Sequence, residues 1–283
     1  MRIVPVSAAL GVEVVGLDVS ENLPVETLDE LRRLLDRHGL LRFRGQTLTP
    51  ERQVGLVAEF GPIAPNGDGS LFKHVANNPT EGAIDFVSES RLLMHSDLQF
   101  APLPLLGLSL YGKSIGGGAP PTLFANAARA YEQLAPATRA RIESLMVLQA
   151  ADLRPGANLS YRPKLTQISG RPHAEFARTV HPLAYRHPRT GRPVLFASEH
   201  QSVHVIGLTE AQSEALIEEL FTALYEPENM YVHEWCTGDL LIWDNILLQH
   251  GRPETPAGSP RVLRRVVLAS HSQTYLELAA TTG

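Results

Sequence analysis

Residues 92–100 read LLMHSDLQF, and inside this apolar run a histidine and an aspartate stand two apart, His95 and Asp97. On a β-strand, residues i and i+2 point to the same side. The spacing therefore carries an imidazole nitrogen and a carboxylate oxygen to one shared point. Burying both without a polar partner costs several kcal/mol. A divalent metal ion is one partner that would use such a pair; a structural hydrogen bond between the two is the other reading. Spacing alone does not choose, because 11 histidines and 30 acidic residues in 283 supply about one His-x-Asp/Glu by chance. A second instance is His173 and Glu175, in a polar stretch rich in proline and arginine without a strand signal.

A further donor stands in GDLLIWDNILLQHG (238–251), where His250 follows a strand-like run and precedes a turn-rich segment. The chain then returns as RVLRRVVL (261–268), and the segment between His250 and Arg261 has the length of a hairpin-like loop. On a strand, Arg261, Leu263 and Arg265 share a face while Arg264 points the other way. Two arginines aimed inward on an apolar strand demand anionic partners. If His250 joins His95 and Asp97, the set is two histidines and one carboxylate. Such a set leaves positions open on the metal, as in non-haem Fe(II) oxygenases.

The elements that must position these groups are legible in outline. LPVETLDELRRLLDRHG puts Leu28, Leu31, Leu34 and Leu35 on one helical face and stops at Gly39. TPERQVGLVAEFG opens with Thr49 as a cap and Pro50 in the first turn. NAARAYEQLAPATRARIESL predicts a short helix, a break at Pro136 and a second helix. LTEAQSEALIEELFTALY carries Thr209 and Gln212 in capping-box spacing. Short β-type runs lie between and after them: GLLRFRG, LLGLSLYGKS, PVLFAS, DLLIWDN and RVLRRVVLAS, with HPRTGRP (187–193) as a turn. Residues 62–91 and 150–180 show no clear period, and loops of that length tend to sit over a site. The expectation is a mostly β chain, a barrel or jelly roll buttressed by a few helices. With neither repeats nor a low-complexity linker, residues 1–283 read as a single domain.

Composition narrows the function classes. Lys plus Arg number 25 against 30 Asp plus Glu, with no charged block, so a nucleic-acid or membrane-surface role has no electrostatic support. A single cysteine, Cys236, excludes an internal disulfide framework, suits a reducing cytoplasm and reads as a small core residue. The apolar N-terminus is interrupted by Arg2, Glu13 and Asp18 and reads as strands, neither signal peptide nor membrane span.

Taken in order, FRGQTLTPERQ, HSDLQF, GGGAPPTLFANAARAYEQL, HPLAYRHPRTGRPVLFAS, TEAQSEALIEELF, GDLLIWDNILLQHG and RVLRRVVL resemble the taurine dioxygenase / 2,4-dichlorophenoxyacetate dioxygenase (TauD/TfdA) family over almost the whole length. The resemblance implies a double-stranded β-helix, a cupin-like jelly roll, and an oxygenase dependent on Fe(II), 2-oxoglutarate and O2. Carried over residue by residue, it implies His95, Asp97 and His250 as metal ligands and Thr122 and Arg261 as residues that hold 2-oxoglutarate. Arg265 falls where relatives meet an anionic group of the primary substrate. His200 and His204, in EHQSVHVIGL, fall near the mouth of the site as substrate contacts. Asp244 and Asn245 are expected to brace the turn before His250. Charge arithmetic agrees: Fe(II) with Asp97 leaves one positive charge, 2-oxoglutarate takes the site to one negative, and Arg261 restores neutrality. The bidentate guanidinium would orient the cosubstrate as well as hold it.

The implied reaction oxidises a C–H bond of a small carboxylate, sulfonate, sulfate or amino-acid-like molecule, usually to an alcohol, while 2-oxoglutarate gives succinate and CO2. The same cofactor chemistry can end in desaturation, oxidative decarboxylation or ring formation. The chain departs from the family pattern in Met94 for the usual tryptophan, GGGAPPT for GGDT, and Ile246 for the arginine after WDN. Asp97 is present, which disfavours chlorination. Two rivals stay open on the residues alone. A zinc hydrolase would use the same donors but leaves Arg261 unexplained, and a non-catalytic binding protein leaves the donor set without purpose. Relatives are often homo-oligomers, so a dimer or larger assembly is expected; neither nucleic acid nor membrane is expected as a partner.

Overall fold

Alternation in the opening residues yields two antiparallel strands, β1 (Arg2–Pro5) and β2 (Val12–Val15). The computed structural model describes residues 1–76, 84–86, 90–154, 160–254 and 261–269, with backbone alone at 84–86. The leucine stripe forms α1 (Val25–His38), which buries Leu28, Leu31, Leu34 and Leu35. Gly39 ends it at φ 76°, a conformation that only glycine adopts cheaply, and its N–H returns to the Leu35 carbonyl. There follow β3 (Leu40–Phe43) and α2 (Pro50–Ala58), with the Thr49 hydroxyl accepting from the Arg52 N–H as expected.

The strands β4 (Lys73–Ala76), β5 (Ile84–Phe86), β6 (Leu92–His95), β7 (Gly107–Ile115) and β8 (Thr122–Asn126) come next. The break at Pro136 separates α3 (Ala127–Gln133) from α4 (Pro136–Ile142). Then come β9 (Met146–Asp152), a single turn α5 (Leu165–Ile168), β10 (Phe176–Pro182), β11 (Ala184–Arg186), β12 (Pro193–Leu195) and β13 (Ser202–Val205). The capping box of Thr209 and Gln212 opens α6 (Glu210–Leu224). The chain closes with β14 (Met230–His233), β15 (Leu240–Asp244), β16 (Leu248–Arg252) and β17 (Arg261–Leu268).

Two sheets make the jelly roll. The larger runs β1-β2-β3-β15-β7-β17-β4-β5 and the smaller β14-β8-β16-β6, while β10-β9-β13 and β11-β12 form side sheets. Within β15, Leu241 and Trp243 enter the core between the sheets and Leu240 and Ile242 enter the layer under α1 and α2. Burial on both faces is why DLLIWDN reads as a continuous apolar run and not as an alternation. Three expectations are corrected. The stretches without a clear period hold β4, β5, α5 and β10; β4 and β10 do not alternate between buried and exposed residues and so lack a clean signal. The segment after His250 is not a hairpin within a sheet, because β16 and β17 belong to different sheets. Cys236 is exposed, since it lies in the turn between β14 and β15 and not in the core. Among the described residues no helix is long and apolar enough to cross a membrane.

Candidate metal centre

His95 and His250 face each other across the β6–β16 ladder as register partners, and their ring centroids are 4.4 Å apart. Asp97 is not on a strand: β6 ends at His95, and the aspartate stands in the turn that follows. The two donors do converge, but not for the i, i+2 reason that the sequence suggests. Convergence comes from the turn, in which Leu98 holds φ 53°, a strained value for a branched residue. Asn245 fixes the turn from across the sheet: its Oδ1 accepts the Asp97 N–H at 2.9 Å, and its Nδ2 donates to the carbonyls of Asp97 and Leu105 at 3.0 and 3.2 Å. Asp244 braces its own turn, accepting from the N–H groups of Ile246 and Leu247, and is itself held by His187 and Arg189.

The donor atoms of His95, Asp97 and His250 all lie within 4.8 Å of one another, and all three residues are buried. His95 Nδ1 stands 2.8 Å from the Leu93 carbonyl. A carbonyl only accepts, so Nδ1 carries the hydrogen and Nε2 of the neutral ring presents a lone pair. That lone pair faces Asp97 Oδ1 at 3.1 Å, and His250 Nε2 faces the same oxygen at 3.6 Å. Acceptors this close need a proton or a cation between them, and one divalent ion serves all three. The donor set therefore fits a metal. Burial first raises the Asp97 carboxyl, but the close approach of His95 and the fields of His250 and Arg265 win and hold it well below the usual carboxylate range. Arg265 Nη1 lies 3.5 Å from its other oxygen, Oδ2.

The remaining expected residues distribute as follows. His200 is buried, edge-on to His95 at 5.6 Å between centroids, with Nδ1 lacking a hydrogen-bond partner among the described residues. His204 is half-buried on β13, and the rings packed on His95 are those of His200 and His250. Thr122 begins β8, buried, and its Oγ1 accepts from the Trp235 indole N–H at 2.9 Å. Arg261 is buried and donates to the Pro120 carbonyl at 2.9 Å. Burial first, then Arg252, pushes its guanidinium down to about 9, a cost that an anion placed beside it would offset. Arg264 does point the other way. It is buried beneath α2, bonded to Gln53 and the Leu48 and Thr49 carbonyls and laid over the Tyr111 ring. His173 and Glu175 stay apart from the triad: the former accepts from the Arg178 N–H and the latter pairs with Arg171. Met94 stands against Gly251, where an added Cβ would meet its sulfur at 2.6 Å. Sequence reasoning placed Asn245 only as a brace for the turn before His250 and missed Trp235, which lies between the quoted motifs; their contacts cross more than 110 positions.

Burial first, then the neighbouring His95, pushes His200 and His250 down to about 3 against the opposing pull of Asp97. An unfolded histidine titrates near 6.5. Between these values the unfolded chain binds more protons, so this stability is present above pH 6.5 and lost as pH falls towards 3. For the metal-free protein, the two histidines together should lower the unfolding free energy by about 3 kcal/mol between pH 7.5 and 5.5. Urea unfolding at both pH values measures it, and His200→Asn should remove about half. A flat profile would show that these rings are not buried as neutral groups.

Comparison with known proteins agrees with this architecture. The sequence profile described as "Taurine catabolism dioxygenase TauD, TfdA family" matches residues 2–267. An (S)-phenoxypropionate/alpha-ketoglutarate-dioxygenase of Delftia acidovorans is 26% identical over 291 residues, covering 97% of each chain. Pentalenolactone F synthase of Streptomyces arenae is 29% identical over 285 residues, covering 94% of this chain and 95% of that one. The crystal structure of a taurine dioxygenase from Burkholderia xenovorans superposes with a TM-score of 0.78 at 26% identity, covering 95% of this chain and 89% of that one. With the match spanning nearly the whole chain on a jelly roll of the same fold, this protein belongs to the TauD/TfdA family of dioxygenases.

Proposed function

We propose that this Fe(II)- and 2-oxoglutarate-dependent dioxygenase holds its metal on His95, Asp97 and His250 and its cosubstrate between Thr122 and Arg261, and meets an anionic group of its primary substrate with Arg265. The observation that carries the reading is the pair of donor atoms on His95 and Asp97, 3.1 Å apart in a buried site beside His250, which one divalent cation would serve together. When bound, iron, 2-oxoglutarate and O2 supply the oxidising equivalents, with the cosubstrate leaving as succinate and CO2. The chain's part is to hold three donors ready, orient a dicarboxylate and exclude water. The Leu93 carbonyl keeps the His95 Nε2 lone pair aimed inward, and Asn245 keeps Asp97 from swinging out. Arg265, on the Oδ2 side of Asp97, would bring a bound carboxylate, sulfonate or sulfate to the edge of the metal. An anionic substrate is also what the name of the Delftia relative describes. Similarity to a synthase supports a second outcome on the same machinery, desaturation or ring formation in place of hydroxylation.

The test starts without oxygen. Apoprotein given Fe(II) and then 2-oxoglutarate should develop a weak visible charge-transfer band, absent in His95→Ala. Arg265→Ala should keep the band yet weaken substrate roughly ten- to a hundredfold. No band in the native chain, or unchanged substrate affinity in the arginine variant, would overturn the corresponding assignment. Product mass then separates the outcomes, because hydroxylation adds an oxygen and desaturation removes two hydrogens.

A further inference from the structure

We propose that Trp235 is a positioning residue for the cosubstrate: its indole N–H fixes the Thr122 hydroxyl so that the threonine presents its own hydrogen to a carboxylate of 2-oxoglutarate. The inference rests on the assignment of Thr122 above. An indole N–H can only donate, and a threonine hydroxyl has one hydrogen and two acceptor lone pairs. Trp235 Nε1 lies 2.9 Å from Thr122 Oγ1, with both side chains buried. That bond consumes a lone pair and leaves the hydroxyl hydrogen to be donated elsewhere. Among the described residues Thr122 has no second side-chain partner, and an ionised carboxylate, which only accepts, is the group that completes it.

The indole is itself held in place. Strand β14 pairs with β8 so that His233 lies opposite Thr122, and Trp235, two residues on, reaches back to the threonine. The His233 ring meets the indole edge-on, 4.5 Å between centroids and 89° between planes. His233 in turn is held by a hydrogen bond with Tyr231 at 3.0 Å and has Asp239 nearby at 3.3 Å. Gly112 lets the following backbone approach: an added Cβ there would stand 2.8 Å from the Cys236 carbonyl. Two residues before Thr122, the Pro120 carbonyl holds the Arg261 guanidinium at 2.9 Å. The GGGAPPT turn is thus tied to Trp235 through Thr122 and to Arg261 through Pro120.

The experiment is a double-mutant cycle read by anaerobic 2-oxoglutarate binding to the Mn(II) or Fe(II) protein, with metal affinity and thermal midpoint as controls. Trp235→Phe keeps a ring and removes the donor, and should weaken 2-oxoglutarate roughly five- to tenfold. Thr122→Ala should weaken it roughly ten- to a hundredfold, and the double variant should bind no worse than Thr122→Ala alone, because the indole acts only through the hydroxyl. Additive losses, or native affinity in Trp235→Phe, would overturn the proposal while leaving Thr122 in its role. Native affinity in Thr122→Ala would remove both. A second readout needs no change at Trp235. The chain has two tryptophans, so the 15N spectrum of the Zn(II) protein holds two indole signals. The one displaced by Thr122→Ala should shift when 2-oxoglutarate is added, and an unmoved signal counts against the inference.

Discussion

Alanine at Asp97 will lower turnover by on the order of 10³-fold or more, with loss of the 2-oxoglutarate-dependent band. Partners that merely orient a metal ligand are worth about 10- to 100-fold, and Asp97 is the ligand candidate itself. It is also the one carboxylate of the triad, so its loss leaves a doubly charged ion facing two neutral imidazoles and the Arg265 guanidinium. Repulsion replaces attraction at the same point. Steady-state succinate formation and metal content of the dialysed protein measure the two halves of the effect. Native metal content in Asp97→Ala would show that the carboxylate does not bind the ion.

Methionine at Arg261 should raise the 2-oxoglutarate dissociation constant by roughly 10²- to 10³-fold, with metal binding retained. Truncating one partner of a buried, hydrogen-bonded charge pair costs about 2–5 kcal/mol, much of it the penalty of leaving the other charge unmet. Arg261 meets that description: it is buried, oriented by the Pro120 carbonyl and pushed down by burial and Arg252. Lysine should recover only part of the loss, since an ammonium cannot reproduce the planar fork. Titration with 2-oxoglutarate under nitrogen reads both variants. Equal affinity in Arg261→Met and the native chain would move the distal carboxylate to another cation.

The grouping of His95, Asp97 and His250 was legible because two short motifs and their order carry it, and the helices were legible because caps and leucine periods are local. What lay beyond reach was long-range. Asn245 grips Asp97 from 148 positions away, and Trp235 grips Thr122 from 113, so no window of sequence contains either bond. Local pattern also misled. His95-x-Asp97 looked like two residues of one strand, but the strand stops at His95 and Asp97 lies in the turn that follows, beside a left-handed Leu98. The lysine- and histidine-bearing β4, half-buried along most of its length, defeats a period-2 search because few of its residues are fully inside or fully outside. His173 and Glu175 matched the spacing without the surroundings and close a local turn instead.

The pairing of His250 with His95 across β6 and β16 has a consequence for how an ion arrives. The gap between the two imidazoles is set by a backbone ladder, and Asn245 locks the third donor from the same framework. An ion taken up as proposed would meet donors whose spacing the backbone already holds. Loading and stripping should therefore leave the far-ultraviolet dichroism unchanged and the heat-capacity change on binding close to zero. The energy that a floppy site would spend on ordering its donors is available here for affinity.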